Sequence, residues 1–129
     1  MEKEIRVNQK GPKAIGPYSP TTKIGNLVFA SGQIPVDPLT GEMVEGDIEI
    51  QTRRALENLR AVLKPYSIGL ENIVKVTIFL RDMNYFSRVN DVYGQYFAEQ
   101  FPSRSCIEVS GLPKNAPIEI EAIAYCKQE

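Results

Sequence analysis

Ile73-Val74-Lys75-Val76-Thr77-Ile78-Phe79-Leu80 is the stretch on which the fold turns. Val74, Val76, Ile78 and Leu80 alternate with Lys75 and Thr77, and the β-branched content stiffens χ1 and favours a pleated strand over more helix. Helical patterns lie on either side. Upstream, Asp47 is placed to cap a helix whose apolar residues Ile48, Ala55, Leu56, Leu59, Val62 and Leu63 keep a 3.6-residue rhythm, with Pro65 ending it. Downstream, Asn84 is placed to cap a second helix carrying Phe86, Val89, Tyr93, Phe97 and Phe101 on one stripe. Its interior Gly94 costs about 1 kcal/mol relative to alanine.

Further out, strands dominate. Ile5–Val7 reads as a first strand, followed by a loop from Gly11-Pro12 to Gly16-Pro17-Tyr18-Ser19-Pro20 that is too rich in proline for helix or central strand. Leu27-Val28-Phe29-Ala30-Ser31 reads as a buried strand, broken by Gly32. Gly25-Asn26 forms a turn, and Asp37-Pro38-Leu39-Thr40-Gly41 doubles the chain back as a hairpin. Two last strands, Ser105–Val109 and Ile118–Cys126, flank the loop from Ser110 to Pro117. The order β, β, β, α, β, α, β, β predicts an α+β chain, one domain over residues 1–129, with its helices on one face of the sheet.

Composition narrows the chemistry. The 129 residues include 15 Lys plus Arg, 16 Asp plus Glu and no histidine, for a net charge of -1. No global field gathers nucleic acid or an acidic membrane. Histidine-based triads and histidine zinc sites are excluded, and Cys106 and Cys126 are too few for a cysteine cage. No metal and no cofactor is expected. The charged start Met1-Glu2-Lys3-Glu4 and the lack of an apolar run longer than Ala122–Cys126 predict a cytoplasmic chain with neither secretion signal nor membrane span.

Strand periodicity puts Arg104, Cys106 and Glu108 on one side of their strand, and Glu119, Glu121, Ile123 and Tyr125 on one side of the next. Two accounts stay open. Arg104 pairs with a cross-strand glutamate on a solvated face, Cys106 being a small filler; or Arg104 forks onto a ligand carboxylate while a nearby glutamate handles water. Ser31-Gly32 is either a turn device or an anion donor, while Tyr18 in the proline loop and Asn90 on the second helix read locally as a packed aromatic and a surface residue.

Taken together, Ala14-Ile15-Gly16-Pro17-Tyr18-Ser19, Ser31-Gly32-Gln33-Ile34-Pro35, Val74–Leu80, Phe101-Pro102-Ser103-Arg104-Ser105-Cys106-Ile107-Glu108-Val109 and Leu112-Pro113-Lys114 with Ile118–Ala124 resemble the RidA/YjgF family of enamine/imine deaminases over essentially the whole chain. The resemblance implies a chorismate-mutase-like fold with two helices on a mixed β-sheet, assembled as a homotrimer with clefts between subunits. It assigns Arg104 to the substrate carboxylate and Glu119 to water, with Tyr18, Ser31, Gly32, Asn90 and Cys106 lining the site. The activity it implies is hydrolysis of 2-aminoacrylate, 2-iminobutanoate and related 2-imino acids to 2-keto acids and ammonia. Such chemistry needs a gripped carboxylate and a held water, which suits a chain without histidine. Ser103 and the pair Ser110-Gly111 depart from the family's usual residues, and Pro65-Tyr66 shortens the first helix. The family also brings alternatives, namely translation inhibition or RNA cleavage, and holdase or metabolite-binding roles without turnover. Against RNA stand the balanced charge and the lack of a basic run longer than Arg53-Arg54.

Overall fold

The computed structural model describes residues 2–97 and 99–127. Its strands are β1 (Thr21–Ile24), β2 (Leu27–Gln33), β3 (Ile73–Leu80), β4 (Ser103–Glu108) and β5 (Ile118–Tyr125), with helices α1 (Ile48–Leu63) and α2 (Phe86–Tyr96). One sheet results, in the order β1-β2-β5-β3-β4. Only β3 and β4 run parallel, as a pair joined through α2 must.

Burial follows the alternation from Val76 onward; Val74, expected on the apolar stripe, is instead 48% exposed and Ile73 is buried, because the pairing with β5 shifts register between Ile73 and Lys75. In β3, Val76, Ile78 and Leu80 are fully buried, as are Ile118, Ile120 and Ala124 of β5, and all face Leu56, Leu59 and Leu63 of α1 and Val89 and Val92 of α2 across one core. Both helices therefore cover the same face. Asp47 caps α1 by accepting from the Ile50 amide at 3.0 Å, and the helix ends at Leu63, where Pro65 enters a tight turn. The other face of the sheet carries Phe29, Thr77, Glu121, Ile123 and Tyr125, all half-buried or exposed.

Several boundaries differ from expectation. Ile5–Val7 forms no strand; only neighbouring Glu4 bridges to Lys23. The strand is Thr21–Ile24, which pairs with β2 across the Gly25-Asn26 turn. Thr21 and Thr22 lack an apolar alternation, so this edge strand had no periodic signal, whereas the apolar Ile5 and Val7 remain exposed. Asp37–Gly41 does reverse the chain, Gly41 donating to the Asp37 carbonyl at 2.7 Å, yet it closes only an isolated Val36–Met43 bridge. Before α2, Asp82 rather than Asn84 provides the cap: its carboxylate accepts from the Asn84 amide at 2.9 Å and leads into a tight turn at 83–85. The helix ends at Tyr96, so Phe101 falls outside its stripe and is 60% exposed. β4 begins two residues earlier than expected, which brings Ser103 and Arg104 into the sheet.

Candidate active site

The register of the sheet decides where each candidate residue lies. Arg104 is opposite Val76 and Cys106 opposite Ile78, so both project to the helix-covered face. Glu119 is opposite Phe79 and Glu121 opposite Thr77, on the open face. β3 stands between β4 and β5. The cross-strand Arg104–glutamate pair is thereby ruled out, and a pocket made by Arg104 and Glu119 of one chain is ruled out with it.

On the helix face, Arg104 leaves the edge strand β4 and lies over α2. Its guanidinium carbon is 4.7 Å from the centre of the Tyr93 ring and 5.6 Å from that of Phe86, a cation on two aromatic faces. No carboxylate among the described residues pairs with it. Asn90, Tyr93 and Arg104 line an open cleft of about 340 Å³ together with Gly94, Phe101 and Pro102. Two atoms in this cleft lack what buried polar groups almost always have. Among the described residues, Asn90 Oδ1 and the Tyr93 hydroxyl are both buried without a hydrogen-bond partner, a condition that costs about 1 to 3 kcal/mol per group unless something else supplies the bond. Burial, opposed by the Arg104 charge, pushes the Tyr93 phenol up to about 12, so it stays protonated and can donate. Cys106, one pleat from Arg104, packs against the core; burial raises its thiol, again opposed by Arg104.

The open face holds the second group. A bulge in β2 sets Ser31 and Gly32 against the single residue Glu121, since Ala30 pairs with Ala122 and Gln33 with Ile120. The bulge turns Gly32 onto Glu119: a methyl group at Gly32 would sit 2.7 Å from Glu119 Cδ, so only glycine fits without moving the carboxylate. Ser31 ties the proline loop to the sheet, its hydroxyl donating to the Ser19 carbonyl at 2.7 Å and its amide to the Pro20 carbonyl at 2.9 Å. Tyr18 accepts from the Ile15 amide at 3.3 Å and shares a small cavity with Gly32. Burial, then the neighbouring charge of Glu121, raises the Glu119 carboxyl above the ordinary carboxylate range.

The seven candidates thus fall into two clusters on opposite faces, Arg104, Asn90 and Cys106 on one and Glu119, Gly32, Ser31 and Tyr18 on the other. Tyr93 was legible only as part of the apolar stripe of α2. Its signal as a site residue is the bare hydroxyl, which periodicity does not reveal. Among the described residues, no group of three or more His, Cys, Asp or Glu is placed to hold a metal ion, and no helix is long and apolar enough to cross a membrane.

The fold and the two clusters define a class: a five-stranded α+β sheet with an arginine cleft against its second helix, the arginine unpaired among the described residues, and a half-buried glutamate on its bare face. Residues 8–126 match the family model described as Endoribonuclease L-PSP. A RutC family protein of Pyrococcus abyssi is 52% identical over 97% of this chain and 98% of its own. TdcF of Escherichia coli, named as a candidate reactive intermediate deaminase, is 45% identical over 95% of this chain and 96% of its own. The crystal structure of E. coli TdcF with bound serine superposes with a TM-score of 0.90 at 43% identity, covering 96% of this chain and 99% of TdcF. A candidate endoribonuclease of Thermotoga maritima gives a TM-score of 0.93 at 51% identity, covering 99% of this chain and all of that one. The chain belongs to the RidA/YjgF family.

Proposed function

We propose that this protein hydrolyses 2-imino acids and their 2-enamine tautomers, such as 2-iminobutanoate and 2-aminoacrylate, to 2-keto acids and ammonia, in sites formed between the subunits of a homotrimer. The observation that carries this is the cleft beneath α2, where an unpaired guanidinium stands beside two buried polar atoms without partners. A 2-imino acid supplies what those groups lack. Its carboxylate takes a bidentate grip from Arg104, with the Tyr93 hydroxyl free to donate to an oxygen of the substrate and Asn90 Oδ1 free to accept from the iminium nitrogen. The serine in the TdcF structure is an α-amino acid with the same carboxylate, in a protein of the same fold.

The water must come from the other cluster. Glu119 lies on the opposite face of its own sheet from Arg104, so the reaction needs the Glu119 of a second copy against the Arg104 cleft of the first. The apolar open face, with Phe29, Ile123 and Tyr125, gives such a copy a surface to cover. Glu119 takes a proton from water as its oxygen attacks C2, forming a carbinolamine. The proton then passes from Glu119 to the amine nitrogen; as the C–N bond breaks, Glu119 takes the carbinolamine hydroxyl proton, so that the 2-keto acid and ammonia leave, and the proton departs with ammonia as ammonium; the enamine enters the same path once protonated at C3. A carboxyl raised by burial is better matched to this exchange near neutrality than an ordinary one. Cys106 packs against the core one pleat from Arg104 rather than lining the cleft, and its raised thiol favours a packing role.

RNA cleavage, the activity in the family model's description, has one feature in its favour: Lys10, Arg54, Arg60 and Lys64 border a groove of about 660 Å³ along α1. Glu57 and Glu71 border the same groove, and Glu57 pairs with Arg60 at 3.0 Å, so the field there is mixed. The deciding experiment follows ammonia and keto acid released from freshly generated 2-iminobutanoate, with Arg104→Ala as control and a chelator in a parallel arm. Acceleration over buffer that survives the chelator and is lost in Arg104→Ala is expected. No acceleration, or full dependence on metal, contradicts the proposal, and cleavage of RNA by both proteins alike supports the alternative.

A further inference from the structure

Gly94 has no structural reason to be glycine. It lies inside α2, where glycine costs about 1 kcal/mol against alanine, and its φ lies outside the left-handed region that would call for one. A Cβ built there meets no atom of the described residues within 4 Å, whereas at Gly32 it strikes the Glu119 side chain and at Gly69 the Glu71 side chain. Neither backbone nor packing therefore demands the missing side chain. What its absence does is open space in the arginine cleft, which Gly94 lines with Phe101 and Pro102. Gly94 is one helical turn beyond Asn90, on the same side of α2, about 5 to 6 Å along the axis. Phe101, 60% exposed, gives that space an apolar wall. The cleft thus joins a grip for a carboxylate to an open, unfilled stretch of α2 at the exposed Gly94, bordered by Phe101 and Pro102, and its volume of about 340 Å³ leaves room beyond a three- or four-carbon acid.

Resting on the deaminase reading above, we propose that Gly94 is the specificity-determining residue of a side-chain subsite that admits 2-imino acids with large apolar side chains, aromatic ones included, Phe101 and Pro102 forming its wall. A side chain at position 94 would occupy the volume that a phenyl or branched alkyl group takes in the wild-type protein.

The test compares imines generated by an amino-acid oxidase from phenylalanine and from alanine, in the wild type, Gly94→Ala, Gly94→Leu and Gln95→Leu. Gln95 is adjacent on α2 but lies outside the cleft, its amide oxygen accepting from Arg53 at 2.6 Å, so it controls for a bulkier helix surface. The readout is the ratio of kcat/KM for the aromatic imine to that for the methyl imine. The expected result is a fall of about tenfold or more in Gly94→Leu, the scale on which apolar pockets discriminate, a smaller fall in Gly94→Ala, and no change in Gln95→Leu. A ratio within twofold of wild type in folded Gly94→Leu, or an equal fall in Gln95→Leu, overturns the assignment. If the wild type hydrolyses neither imine, the deaminase reading fails by itself. The subsite is then judged by binding: the ratio of Kd values for phenylpyruvate and pyruvate should shift in the same direction in Gly94→Leu, and an unshifted ratio overturns it.

Discussion

The two faces of the sheet carry two clusters of opposite chemical character. Under α2, the edge strand β4 presents a cation stacked on two rings, with a donor and an acceptor left bare around it. On the open face, the central strand β5 presents two carboxylates two residues apart, one of them raised by burial and by its neighbour. The first half is built to hold an anion, and the second to hold or move a proton. A single chain keeps them apart by the thickness of its own sheet, so no one chain brings Arg104 and Glu119 into one pocket. Under the function proposed above, the face left without helices would be part of the functional design, because it would let the glutamate of one copy reach the arginine of another.

The comparison can be broken first by removing each half separately. Arg104→Ala deletes the ground-state grip, a charge-assisted contact worth about 1.5 to 3 kcal/mol, so binding of a 2-keto acid analogue should weaken by roughly 10- to 150-fold and turnover should fall at least as far. Glu119→Gln should instead retain most analogue affinity while kcat drops by about a hundredfold or more, as expected when proton transfer is lost from the transition state. Calorimetric titration of the analogue beside steady-state kinetics separates the two patterns. Equal losses of binding in both variants would erase the distinction between the halves.

A finer cut lies within the arginine half. Tyr93→Phe keeps the ring beneath the guanidinium and removes only the hydroxyl, so analogue binding should weaken by about 2- to 12-fold, the range of one neutral hydrogen bond. Tyr93→Leu also removes the cation–π contact and should weaken it further. If Tyr93→Phe binds the analogue as well as wild type, the bare hydroxyl is not part of the site.

The smallest effect is expected at Glu121. Its charge raises the carboxyl of Glu119; Glu121→Gln removes that repulsion, lowers the Glu119 value and leaves more of it ionised at any given acidic pH. The acid limb of the kcat profile should therefore move to lower pH, with turnover near neutrality changed by no more than about twofold. A limb that stays in place, or moves upward, would mean that Glu119 is not the group whose ionisation the profile reports.

Much of this arrangement was legible before any coordinates. The β-branched alternation of Ile73–Leu80 identified β3, and the stripes of α1 and α2 identified the helices, because those segments bury one side against a common core. The periodicity of β4 and β5 assigned the correct side chains to common sides, while the roles that the family motifs imply for Arg104 and Glu119 await the variants above. What the sequence could not carry was strand order. That β3 separates β4 from β5 is a long-range pairing, and without it the arginine and the glutamates looked like neighbours. Tyr93 was hidden for a related reason: a ring that serves the core and a ring with an unsatisfied hydroxyl share one position in a helical stripe. β1 was missed because Thr21 and Thr22 pair through their backbones and offer no apolar rhythm.

Whether the two clusters meet between copies can be measured. The direct measurement is complementation between two crippled proteins, Arg104→Ala and Glu119→Gln, each assayed alone and after co-assembly in equal amounts. In a mixed cyclic trimer, an interface that takes its arginine from the Glu119→Gln subunit and its glutamate from the Arg104→Ala subunit is intact, and random mixing makes such interfaces about one quarter of the total. Co-assembly should therefore restore about a quarter of wild-type turnover from two nearly inactive parents. Turnover no greater than the sum of the two parents, in mixed oligomers verified by mass, would contradict a site shared between subunits.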